Sequence, residues 1–210
     1  MQSNKKGDGM VLTKNGFAII KERFGRLTQS QVDELNYIVG EIDRHKNVSY
    51  PQAAYMLATT WLECDGTMLP IREYGLGKKK KYGQWFTNKN GEKYGYANDK
   101  LQTYLQSEYN GLYYGRGYVQ LTWLDNYVKA GLKLGHDFAK NPDDVMIKEW
   151  AVKILITGMM EGWFTGHALT RYISQSKKDY VGARRVINSQ DRANKVAEYA
   201  QVFEKALRSN

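Results

Sequence analysis

YYGRGYVQLTW, residues Tyr113–Trp123, sets two glycines around an arginine, with tyrosines before them and an apolar run holding a glutamine and a threonine after. Glycines at 115 and 117 allow the backbone to come closer to a neighbour than any side chain would permit. The continuation TWLDNYVKAGLKLG has helical spacing, and Thr122 stands where it would cap the first turn. The stretch is expected to form a fixed turn that presents Gln120 and Thr122 at a helix start.

Upstream, Thr28 and Gln31 have capping-box spacing, with Val32, Leu35, Ile38, Val39 and Ile42 at helical intervals to about His45. Ser49 and Gln52 repeat that signature with Pro51 in the first turn, so a second helix should run through AAYMLATTWLE to near Gly66. Residues 74–111 lose helical periodicity. There Asn90-Gly91 fits a hairpin turn between Trp85-Phe86 and Tyr94, and so long a loop region suits one wall of a cleft. Downstream, DDVMIKEWAVKILITGMMEGWF confines Glu149, Lys153, Thr157 and Glu161 to every fourth position and is expected to be the central core helix. DYVGARRVI and DRANKVAEYAQVFEKAL supply the last helices, with Arg184 and Arg185 read as helix-surface charges. Residues 1–10 read as a mobile tail and 11–210 as a single domain of two lobes around a central cleft.

The chain of 210 residues has the composition of a packed globular protein, and 31 basic against 22 acidic residues leave a net charge of +9. That surplus favours a polyanionic partner: nucleic acid, acidic lipid or an anionic cell wall. The lone Cys64 excludes an internal disulfide framework and reads as a small buried hydrophobe. The polar start MQSNKKGDG lacks a signal peptide's apolar core, so synthesis and folding in a cytoplasm are expected. The segment DDVMIKEWAVKILITGMMEGWF is too interrupted by charge to span a membrane, and no stable membrane insertion is expected.

His45, His136 and His167 lie far apart in no zinc spacing, and GRG is not followed by the lysine and hydroxyl residue of a phosphate loop. Neither a metal nor another cofactor is expected. Paired carboxylates are the better candidates. Glu63 falls at a helix C-terminus beside Trp61, Leu62 and Cys64, where the helix dipole and an apolar setting favour the neutral acid form. Glu73, after Arg72 in LPIREYG, has left the helix and is expected to stay ionised as a base. In a plain structural reading, Trp123 and Tyr127 are core, Tyr113 and Tyr114 pack the loop, and Thr122 is only a cap.

YYGRGYVQLTWLDNYVKAG resembles the signature of glycoside hydrolase family 19, the chitinase-type group that also includes bacteriophage endolysins. The resemblance extends to ATTWLECDGTMLPIREYG upstream and to NPDD, GMMEGWFTG and YVGARRVINSQDRA downstream, about residues 35–205. It implies a mainly α, two-lobed, lysozyme-like helical fold with a small β-hairpin or loop region forming one wall of the cleft. It also implies Glu63 as general acid, Glu73 as general base and Thr122 as a holder of the attacking water. Gln120, Asn126, Tyr127, Tyr114, Asn188 and Arg192 are then sugar-binding or cleft-lining positions. Leu62, Leu124 and Ser189 stand where the family usually has His, Asn and Gly. The two leucines remove polar groups that chitin-cleaving relatives use, which points away from chitin more than from hydrolysis.

With the charge, the resemblance leads to the expectation of a monomeric phage endolysin, a peptidoglycan hydrolase. It would cut β-1,4 bonds of peptidoglycan glycan strands by inversion, muramidase-fashion, with carboxyl groups about 6.5–9.5 Å apart. It would wait in the host cytoplasm for a separate holin-type protein to open the way to the wall, and no nucleic acid is expected as partner. The alternatives are a chitinase and a non-catalytic wall- or nucleic-acid-binding protein using Lys78–Lys81 with Tyr82, Trp85 and Tyr94.

Overall fold

The computed structural model describes residues 9–209. The element order is α1 (Lys14–Phe24), α2 (Gln29–Arg44), α3 (Tyr50–Glu63), β1 (Ile71–Arg72), β2 (Phe86–Thr87), β3 (Lys93–Tyr96), β4 (Thr103–Leu105), the single turn α4 (Gln106–Tyr109), β5 (Arg116–Gly117), α5 (Leu124–Leu134), α6 (Lys148–Glu161) and α7 (Ala193–Leu207). The fold is mainly α, with two small antiparallel sheets, β1–β5 and β2–β3–β4.

Local polar signals start the helices as expected. Thr28 Oγ1 accepts from Gln31 N at 3.2 Å while Gln31 Oε1 accepts from Thr28 N at 2.8 Å, fixing the entry to α2. At α3, Gln52 Oε1 accepts from Ser49 N at 2.9 Å, and Gln52 Nε2 reaches across to Ile173 O at 2.8 Å. Helix α1 sets Phe17, Ile20 and Phe24 at helical spacing against the core. It is also held by distant packing: Gly16 lies so close to α7 that a Cβ there would stand 2.7 Å from Ala206 O.

The central helix is α3, not α6. Every residue from Pro51 to Thr60 is buried, whereas α6 keeps Lys148, Glu149, Lys153 and Glu161 on the surface. Helix α3 packs chiefly against α7, and Phe24, Trp61 and Phe203 interlock at its end with ring centroids 4.2–6.1 Å apart. Two expected helical stretches differ. Residues Pro142–Met146 form a separate tight turn before α6, because Ile147 between them is extended at ψ 127°. DYVGARRVI likewise gives only the short turn Gly182–Val186.

The hairpin forms around Asn90-Gly91 as expected, with Phe86 opposite Tyr94 and Gly91 at φ +80°. Strand β4 was not legible in sequence; it pairs Tyr104 with Gly95 and turns Tyr104 inward, where its hydroxyl donates to Gly111 O at 2.9 Å. Asp125 N donates to Ala97 O at 3.1 Å, tying this three-stranded wing to the start of α5. Residues 1–8 of the expected tail lie outside the described residues. Met10, within that expectation, is buried and its N–H donates to Asp43 Oδ1 at 2.7 Å. Among the described residues no helix is long and apolar enough to cross a membrane.

Candidate active site

A cleft of about 1300 Å³ is lined by the end of α3, the Glu73 loop, the wing, the start of α5 and the segments around Phe164 and Asn188. Glu63 and Glu73 both line it. Their surroundings are built differently.

Glu63 closes α3, and its Oε1 accepts from Arg184 Nη1 at 2.6 Å. The Arg184 side chain is 3% exposed and that of Glu63 is 18% exposed, so the ion pair sits at the cleft floor with its cation in the core. Arg184 Nε also donates to Asp191 O at 2.9 Å, joining Glu63 to the segment that carries Asn188 and Arg192. The expected apolar setting of Glu63 is therefore incomplete, and Arg184 is not a helix-surface charge. No sequence signal pairs two residues 121 positions apart. Cys64 behind Glu63 is buried, with Sγ 3.7 Å from both Gly117 O and Tyr118 O, and burial pushes its thiol up, which suits a packing role.

Glu73 follows β1. Its N–H donates to Gly115 O at 2.7 Å, its Oε2 accepts from Gly115 N at 3.1 Å, and its Oε1 accepts from the Tyr82 hydroxyl at 3.0 Å. Burial first, then the charge and hydrogen bond of Glu73, push the Tyr82 phenol up, so it remains a donor across the physiological range. Gly115 lines the cleft, and its bare backbone also has a structural use. A Cβ there would stand 2.7 Å from Gln120 Oε1 and 3.2 Å from Glu73 Cβ, so the bare backbone serves the Glu73 contact.

Arg116 holds this wall together. It is 4% exposed; Nε donates to Asp143 Oδ1 at 2.7 Å and Nη1 to Leu112 O at 3.1 Å and the Tyr127 hydroxyl at 3.0 Å. Its guanidinium lies 3.7 Å from the Tyr114 ring centroid. Its strand partner Arg72 reaches the other oxygen of Asp143 at 3.0 Å.

The predicted binding residues divide accordingly. Gln120, Thr122, Asn126, Asn188 and Arg192 line the cleft. Tyr127 does not: it is fully buried and its hydroxyl donates to Tyr114 O at 2.8 Å, as in the plain core reading. Tyr114 lines a separate pocket with Trp85 and Arg116, because stacking on Arg116 turns it away from the cleft. Thr122 is not the cap of α5. Trp123 occupies that position at φ +70°, and no side chain caps it. Gln120 at φ +53°, Trp123 and Arg192 at φ +56° all hold left-handed backbone at the cleft, a strain that collects at functional sites. Gln120 Nε2 donates to Ile71 O at 3.0 Å and Gly117 O at 3.2 Å, so its amide nitrogen braces β1 against β5. Among the described residues no three His, Cys, Asp or Glu side chains converge as a metal site would require.

A mainly helical fold whose cleft sets a carboxylate on each of two distinct supports suits acid–base hydrolysis, and the family match makes the class glycoside hydrolase. The family described as chitinase class I matches residues 46–199, and the chain belongs to this family, glycoside hydrolase family 19. The fold is similar to that of chitinase C from Streptomyces griseus HUT6037, with a TM-score of 0.60 at 21% identity over 94% of this chain and 95% of that one. A chitinase C mutant is similar with a TM-score of 0.53 at 19% identity over 94% of each chain. No curated protein matches in sequence.

Proposed function

We propose that the chain is a peptidoglycan hydrolase of the endolysin type that cleaves β-1,4 bonds of the murein glycan, muramidase-fashion, by inversion. One observation carries the acid–base part: Glu63 and Glu73 face one cleft, one held by a buried cation and the other by two uncharged donors. Glu63, which takes up a proton from solvent at the cleft before turnover, passes it to the leaving glycosidic oxygen. As the proton leaves, Arg184 stabilises the carboxylate that forms. Glu73, oriented by Tyr82 and Gly115, takes a proton from a water that attacks the opposite face of the sugar, and the Thr122 hydroxyl helps to hold that water. Inversion requires the two carboxyl groups to stand about 6.5–9.5 Å apart. Gln120, Asn126, Asn188 and Arg192 contact the sugars.

The net charge of +9 supports an anionic wall polymer over neutral chitin. On this reading the protein acts as a monomer, needs no cofactor, and reaches the wall from the host cytoplasm after a holin-type protein opens the membrane. The second reading is a chitinase, favoured by the family description and by the chitinase C structures. Release of reducing sugar from purified peptidoglycan and from colloidal chitin separates them. Peptidoglycan should be the better substrate, and Glu63→Gln should lower turnover by at least about 100-fold with the circular dichroism spectrum unchanged. Chitin as the clearly better substrate overturns the choice. Mass spectrometry of the new reducing ends should show N-acetylmuramic acid; N-acetylglucosamine there would make the enzyme a glucosaminidase.

A further inference from the structure

We propose that the outer face of the β2–β3–β4 wing, with the lysine loop beside it, is a second docking surface for the anionic peptidoglycan strand, outside the cleft. The proposal rests on the peptidoglycan reading above. Alternation along β3 puts Tyr94 and Tyr96 on one face and Gly95 on the other, and register places Phe86 beside Tyr94. The inner face is spent on packing, since a Cβ at Gly95 would stand 2.6 Å from the buried Tyr104 ring. On the outer face the three rings touch one another, with centroids 5.1–5.7 Å apart, and none is buried. Lys81 Nζ lies 5.2 Å from the Tyr96 ring.

Charge is concentrated around these rings. Residues 78–100 hold seven lysines against Glu92 and Asp99, a surplus of five and more than half of the chain's +9. Among the described residues none of the seven lysines is ion-paired, so their charge is not neutralised by a neighbouring carboxylate. Free cations around aromatic rings suit a chain that carries carboxylates on a sugar backbone. The surface is continuous with the cleft: Lys80, Tyr82, Asn98 and Lys100 line the cleft, while Lys81 and Tyr96 belong to the wing. A strand leaving the site therefore passes over the wing without a gap.

The test reverses Lys78, Lys79, Lys89 and Lys93, all exposed and outside the cleft, to Glu in the Glu63→Gln background. Co-sedimentation is measured with insoluble peptidoglycan, chitin, vesicles containing an anionic phospholipid, and duplex DNA. Binding to peptidoglycan should weaken by about ten-fold or more at low salt, the loss shrinking as salt rises, with chitin binding unchanged. With Glu63 restored, cleavage of a short soluble murein fragment confined to the cleft should be unchanged. The set Lys→Gln, in place of Lys→Glu, should give a smaller loss and serves if the reversed variant misfolds. Unchanged peptidoglycan binding, an equal loss on chitin, or charge-dependent binding only to vesicles or DNA overturns the proposal. Failure of the wild type to cut the soluble fragment counts against the catalytic reading alone, so the two are separable.

Discussion

The two cleft carboxylates contrast in how the chain holds them. Glu63 ends a buried helix and meets a full positive charge, Arg184, delivered from 121 residues away. Glu73 stands on a short strand extension and meets two neutral donors, Tyr82 nine residues away and the Gly115 backbone across the β1–β5 pair. A buried cation couples the first carboxylate to global packing, because an unpaired guanidinium in the core is costly. The second depends on the shape of a loop. One wall should therefore fail all at once and the other by degrees.

Arg184→Met tests the first wall and should have the largest effect. It removes the charge that meets Glu63 and the bond from Nε to Asp191 O. Because Glu63 stays partly hydrated at the cleft, the stability loss should fall near the low end for a broken buried pair, about 3 kcal/mol. If Arg184 stabilises the carboxylate left by proton donation, kcat should drop by about 100-fold with KM little changed. Arg184→Lys should recover only part of this, since an ammonium cannot reach both partners. Wild-type kcat in a folded Arg184→Met protein would reduce the ion pair to scaffolding.

Tyr82→Phe sharpens the comparison on the other wall. It deletes one of two donors to Glu73 and keeps the ring packed edge-on against Trp123 at 5.0 Å. A hydrogen bond to a charged group is worth about 1.5–3 kcal/mol, so kcat should fall by roughly ten-fold or somewhat more while the thermal midpoint moves little. Steady-state kinetics and a melting curve check both parts. A loss as large as that of Arg184→Met would show that the two walls do not differ in kind.

The same contrast explains what the sequence disclosed. Signals that act within a few residues were legible: the Thr28–Gln31 and Ser49–Gln52 pairs and the Asn90-Gly91 turn. Glu63 and Glu73 were singled out through family resemblance more than through spacing, and both line one cleft. Their partners were not legible, because contact between residues far apart in the chain leaves no periodic trace. Arg184 looks like a surface charge in ARRVI, and GRG gives Arg116 no visible partner. The structure makes the first the partner of Glu63 and the second the hub of Asp143, Leu112 and Tyr127. Tyr127 and Tyr114 were misplaced for the same reason: Arg116 draws both away from the cleft.

The smallest predicted effect concerns Asp143, which staples the Glu73 wall by binding Arg72 and Arg116 from opposite strands of the β1–β5 pair. Burial works to raise the carboxyl's pKa, but hydrogen bonds and charge from Arg72 and Arg116 together outweigh it, and the net position is below the ordinary aspartate value. A depressed folded-state pKa contributes stability that is present above the unfolded value and is lost as pH falls through the folded one. The staple should therefore hold at neutral pH and loosen only below about pH 4, the unfolded value for aspartate. Its side chain is 60% exposed, so solvent screens the pair and the change should be slight. In Asp143→Asn the small extra fall in thermal midpoint between pH 5 and pH 3 should disappear, while the rest of the acid profile stays. An unchanged acid profile in that variant would move the hold on this wall from Asp143 to the carbonyls of Leu112 and Tyr114, which Arg116 binds at any pH.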